Sequence, residues 1–288
     1  MSMKKLSILL LFVLISSCDK ESEVINLDEF KFNLNIHNSL NSSWQNEFAI
    51  IMDNLNQLIP VQAHNYFYEL DVYAWNDNVS SPYKSEIGNQ SGACICGDDN
   101  RRFMVLEINN EEFTWNSMHR FSVVAHEYFH VYQMSLSKNF FDGDIELKWM
   151  SEGGAATFES LYIQYYYNSN YFLEAQTEID PSVKSNPSIY EKYNSSSDVD
   201  MNYASSVFMF LVLSKELQKA NYTEEESFRL ILKDFWETNP TDGNWKNKFE
   251  EVFNINVDDF YNLINNYNTD ITEVMPSEDI NLNTIFKN

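Results

Sequence analysis

The chain has 288 residues, a formal net charge of −24 and three cysteines. That length suits one large domain, or a core with a helical appendage. The acidity argues against nucleic acid and anionic lipid headgroups as partners, and suits basic ligands better.

"MSMKKLSILLLFVLISSCDK" opens the chain. Lys4 and Lys5 precede an apolar stretch, Leu6 to Ile15, too short to span a bilayer and suited to a signal-peptide core. Ile15-Ser16-Ser17-Cys18 then resembles a bacterial lipobox. The resemblance implies a signal peptide over residues 1–17, cleavage before Cys18, and attachment to the membrane through lipid on that cysteine. Each buried acyl methylene adds ~0.8 kcal/mol, so several chains on one residue anchor a protein firmly. Residues 18–30 are acidic and polar and read as a tether. They loosely resemble the export tags of bacterial surface lipoproteins, which implies the cell envelope, at the outer membrane or cell surface. No other segment is long and apolar enough to cross a membrane.

The remainder divides into residues 31–168, mixed α and β, and residues 169–288, helical, read together as one α+β unit. Trp44, Phe48, Ile51, Leu55 and Leu58 recur at helical spacing over Ser42 to Ile59, and Pro60 ends that helix. "NYFYELDVYAWND" alternates aromatic and β-branched residues as a strand does, and a polar loop is expected from Asn76 to Asn100. Arg101 to Asn109 reads as another strand. Ser117 to Leu136 and about Trp149 to Tyr167 read as helices, followed by a polar loop with Pro181 and Pro187. Helical stretches at Tyr203–Lys219, Glu224–Trp236 and Asp258–Tyr267 complete the chain, the second opened by a capping box of Thr223 and Glu226. Cys94 and Cys96, two apart, leave three readings open: a local disulfide, two buried thiols, or half a metal site. No second cysteine pair exists to complete a metal site.

The helix from Ser117 carries "VVAHEYFHVYQ", residues 123–133. His126 and His130 are four apart, so their side chains share one helical face. Two imidazoles so placed can bind one zinc ion, with Zn–N of roughly 2.0–2.1 Å. Glu127 is offset by one residue, able to flank the metal and reach a water molecule. Burying these groups beside Val124, Phe129 and Val131 costs several kcal/mol without partners, and a metal removes that cost. A third ligand is required. Trp149-Met-Ser-Glu152-Gly153-Gly-Ala155 lies at the start of the next expected helix, with Glu152 22 residues after His130.

HExxH followed by this segment resembles the gluzincin clan of zinc metallopeptidases, the peptidase MA group, which includes thermolysin-like and aminopeptidase-N-like enzymes. The resemblance runs from about residue 45 to 268 and implies a zincin-like α+β fold and hydrolysis of a peptide or protein substrate. It implies one Zn2+ held by His126, His130 and Glu152, and Glu127 as general base toward a metal-activated water. Glu159, seven after Glu152, takes the place of a carboxylate supporting the ligands, and Tyr203 that of a tyrosine at a helix start that donates to the oxyanion. Tyr190 and Tyr193 are alternatives for that donor, and His119 is a further histidine on the face of His126. "FEEVFNINVDDFYNLI" resembles a helix-turn-helix near the end of such proteins, with Asn254 where glycine is common. The G-x-M-E-N segment that grips a free amine in the aminopeptidases is absent, although Met104 and Glu107 stand in the Arg101 strand. That strand is instead expected as the sheet edge along which a peptide lies. A second class remains: a surface-binding lipoprotein that keeps a zinc site without catalysis. The oligomeric state has no signature.

Overall fold

The structure, a computed structural model, describes residues 29–98 and 101–287. The signal peptide, Cys18 and the tether up to residue 28 lie outside the described residues. The fold is α+β: a four-stranded mixed sheet in the first half, then a mostly helical second half. Among the described residues no helix is long and apolar enough to cross a membrane.

Strands β1 (Lys31–Ile36), β2 (Glu69–Asn76), β3 (Ala93–Asp98) and β4 (Arg101–Ile108) lie in the order β1-β2-β4-β3. β1, β2 and β4 are mutually parallel, and β3 runs antiparallel to β4. Alternation along a strand sends side chains to opposite faces. Leu70, Val72 and Ala74 of β2, with Met104, Leu106 and Ile108 of β4, face the helical core. Tyr73, Trp75, Phe103 and Val105 form a smaller cluster on the other face, closed by Ile87, Tyr83, Cys94 and Cys96.

Two expectations are corrected here. The polar loop from Asn76 to Asn100 contains strand β3, because pairing with β4 sets Cys94 opposite Val105 and Cys96 opposite Phe103 over the smaller cluster. The strand at Arg101 is therefore an inner one, flanked by β2 and β3, and the edge belongs to β3. Cys94 and Cys96 form a disulfide with their Cα atoms 5.5 Å apart, which resolves the three readings. Glu107 is structural: its carboxylate accepts from Trp75 Nε1 (3.1 Å) and from the Gly92 amide (2.8 Å), holding the start of β3 in place.

Helix α1 (Ser42–Leu58) is capped by the Asn41 side chain and buries Trp44, Phe48, Ile51, Leu55 and Leu58 as the periodicity requires. Trp44 Nε1 donates to the Arg120 carbonyl at 3.0 Å, tying α1 to the central helix α2 (His119–Leu136). That helix is buried nearly all round, as is α3 (Lys148–Tyr167). Helix α4 (Val199–Lys219) is capped by Asp198 and starts four residues before the expected position, so Tyr203 lies one turn inside it. Both capping-box bonds of Thr223 and Glu226 are present. Asn254 takes the left-handed conformation (φ 53°) between the helices Trp245–Phe253 and Val257–Leu263. One apolar core runs from Phe30 to Phe286 and joins the sheet to both halves of the helical layer.

Candidate metal centre

His126 and His130 sit one turn apart on α2, both buried, with their Nε2 atoms 3.2 Å from each other. Glu152, in the first turns of α3, places Oε2 at 3.1 Å from His130 Nε2 and 3.5 Å from His126 Nε2. These three separations match the edges of a coordination tetrahedron, which for metal–ligand bonds of roughly 2.0–2.1 Å are ~3.3 Å.

The surrounding hydrogen bonds decide which atoms face this point. Gln133 Nε2 donates to the Ser151 carbonyl at 3.3 Å, so its amide oxygen turns to His130 Nδ1 at 2.8 Å. An amide oxygen only accepts, so Nδ1 of His130 carries the hydrogen and Nε2 presents a lone pair. Glu159 Oε2 faces His126 Nδ1 at 3.5 Å and imposes the same tautomer. Two nitrogen lone pairs and a carboxylate oxygen thus converge, an arrangement that repels itself until a cation sits between them. The donor set therefore fits one metal ion. The other Glu152 oxygen, Oε1, accepts from Lys148 Nζ at 3.1 Å, which leaves Oε2 as its single atom for the metal.

The electrostatics agree. Burial opposes charge on His126, yet the hydrogen bonds to Glu152 and Glu159 outweigh it and raise its pKa well above the ordinary value. Burial likewise opposes ionisation of Glu152, but His130, His126 and Lys148 prevail and hold it well below the carboxylate range. The site attracts positive charge in either description. Glu127 is buried among these groups, and burial pushes its carboxyl up despite His126 and His130. Its Oε2 has no hydrogen-bond partner.

The structure places Glu127, Glu159 and Tyr203 around His126, His130 and Glu152. Tyr203 points its hydroxyl at Glu152 Oε2 (3.4 Å) and stacks edge-on against the His126 ring, centroids 5.7 Å apart. Burial, then the charge of Glu152, raises its pKa, so the phenol stays a donor. Tyr193 packs its ring on Tyr203. Tyr190 is spent elsewhere: it is fully buried, with its hydroxyl bonded to Ser182 Oγ at 2.9 Å. His119 is engaged by Glu112 at 2.8 Å and borders the site on the His126 side. Sequence reasoning missed Gln133 and Lys148. Each is marked by helical spacing, i+3 from His130 and i−4 from Glu152, although glutamine and lysine have no metal signature of their own.

The centre lies between two cavities, of about 410 Å³ on the His130 flank and about 270 Å³ on the His126 flank. Ala93, Glu127 and Tyr203 border both. Edge strand β3 contributes Ala93, Cys94 and Ile95 to the larger cavity.

Fold and site together define an α+β protein with a buried His–His–Glu group that could hold one metal ion. No known protein family matches this chain, and no curated protein matches it.

Proposed function

We propose that the chain is a zinc-dependent metallopeptidase, lipid-anchored through Cys18 to a bacterial cell envelope, that hydrolyses peptide bonds. The observation that carries the reading is the convergence of His126 Nε2, His130 Nε2 and Glu152 Oε2 beside a buried, unpartnered Glu127 oxygen. Among the described residues the group has three members. A closed structural zinc site takes four, so three favour catalysis over the non-catalytic reading.

A zinc ion held there supplies a Lewis-acid charge that lowers the pKa of water and polarises a carbonyl. Glu127 accepts the proton of the attacking water and returns it to the leaving amine nitrogen. The Tyr203 hydroxyl donates to the carbonyl oxygen as charge builds on it. Glu159 and Gln133 keep the imidazoles in the required tautomer. As an edge strand, β3 offers one side of its backbone to an extended peptide.

The test is Glu127→Gln. It should keep one zinc per chain while cleavage of a mixed peptide library falls by at least ~100-fold. Cleavage equal to the parent's ends the proposal.

A further inference from the structure

We propose that the cavity on the His126 flank receives a cationic side chain, lysine or arginine, of the peptide being cut; the inference rests on the peptidase reading above. Three acceptors mark the cavity. Glu159 lines it, and only one of its oxygens faces His126 Nδ1, which leaves lone pairs for a second donor. Asp200, exposed in the first turn of α4, lines it too. Gln176 also lines it, is only 3% exposed, and has a side-chain carbonyl oxygen that meets no donor in the protein. A buried carbonyl without a donor is costly, and a turn of the Gln176 amide toward the cavity would let a ligand N–H relieve it.

The rest of the lining suits the same guest. Val123, Tyr171 and Ala175 give apolar walls for a methylene stem, and about 270 Å³ holds a long side chain. No lysine or arginine among the described residues lines this cavity, whereas Arg102 and Lys148 both lie in the cavity on the opposite flank. The one group here that can carry positive charge away from the metal point is His119, and Glu112 matches it at 2.8 Å. An acidic side chain would meet Glu127, Glu159 and Asp200 with no lysine or arginine in the lining to balance it.

The experiment uses dye-labelled peptides of one sequence with Arg, Lys, Leu or Glu at a single central position. Binding to the zinc-loaded Glu127→Gln chain is read by fluorescence anisotropy, and cleavage of the same peptides by the parent chain is ranked beside it. Arg and Lys peptides should bind at least ~5-fold tighter than the Leu and Glu peptides. Asp200→Lys, at an exposed position, should reduce that gap by roughly threefold to fivefold. Gln176→Leu, close in size, should narrow it as well. Leu bound as tightly as Arg overturns the inference while cleavage by the parent leaves the peptidase reading standing. Absence of both binding and cleavage for every peptide overturns the two together.

Discussion

Gly153 rests directly against the backbone of Ser206: a β-carbon on Gly153 would stand 2.9 Å from the carbonyl carbon, carbonyl oxygen and Cβ of Ser206. The contact sets how closely α3 approaches α4, and it lies next to the chemistry. Glu152 precedes Gly153 by one residue, and Tyr203 precedes Ser206 by one turn. Gly153→Ala should therefore force the helices apart, destabilise the fold by about 1–3 kcal/mol, and withdraw the Tyr203 hydroxyl from Glu152. Gly154 is the control. A β-carbon there meets only side chains, at 3.4 Å or more, so Gly154→Ala should be neutral or stabilising by up to ~1 kcal/mol of helix propensity. Denaturant unfolding of the two variants separates them; equal destabilisation would show that the close approach does not govern this contact.

Metal binding should appear as stability. Zinc at about 100 times its Kd adds ~2.7 kcal/mol to a fold that alone presents the site, or a Tm rise of roughly 5–10 °C at this size. Chelator should remove that rise from the parent and from Glu127→Gln. His130→Ala should show no rise at any zinc concentration, because two remaining ligands cannot close the site. A zinc response in His130→Ala equal to the parent's would place the metal elsewhere.

The helices that carry the site were legible because their signals are local. Apolar residues at a 3.6 period mark α1, α2 and α3, and His126 with His130 needs only four-residue spacing to share a face. Glu152 came from a resemblance, and its convergence on the histidines is a tertiary fact. What escaped has no local signature. β1 alternates apolar residues with asparagines and is mostly exposed or half-exposed, so its strand character comes from pairing with β2. β3 holds glycine and two cysteines, and only its register against β4 explains their cover. Gln176 is a glutamine in an irregular segment, and its interest lies wholly in the unpartnered carbonyl beside a cavity.

Gln133 is a positioning residue for His130. It is fully buried, accepts from Nδ1 at 2.8 Å and is itself held by the Ser151 carbonyl. Gln133→Leu keeps the volume and removes the acceptor, so the imidazole is free to flip or change tautomer. Loss of such an outer partner typically weakens metal binding 10–100-fold, and we expect a zinc Kd raised by that range. Competition against a calibrated chelator measures it. Gln133→Glu restores an acceptor and should recover most of the affinity. An unchanged Kd in Gln133→Leu would mean that His130 is oriented by packing alone.

Tyr203 separates binding from chemistry. Its hydroxyl is 3.4 Å from the Glu152 oxygen aimed at the metal point, so it sits where a substrate carbonyl oxygen would gather charge. The ring is already wedged between His126 and Tyr193, and Tyr203→Phe leaves that packing intact. Removal of one oxyanion donor costs roughly 10²–10³ in kcat. The expected variant therefore folds, binds one zinc with the parent's affinity and keeps KM within about twofold, while kcat falls by that factor. The split matters more than the size of the loss. A raised KM with kcat unchanged would make Tyr203 a substrate-binding side chain, and a lost zinc would make it part of the metal's support. If kcat survives in Tyr203→Phe but collapses in Tyr193→Phe, the donor is the neighbouring phenol.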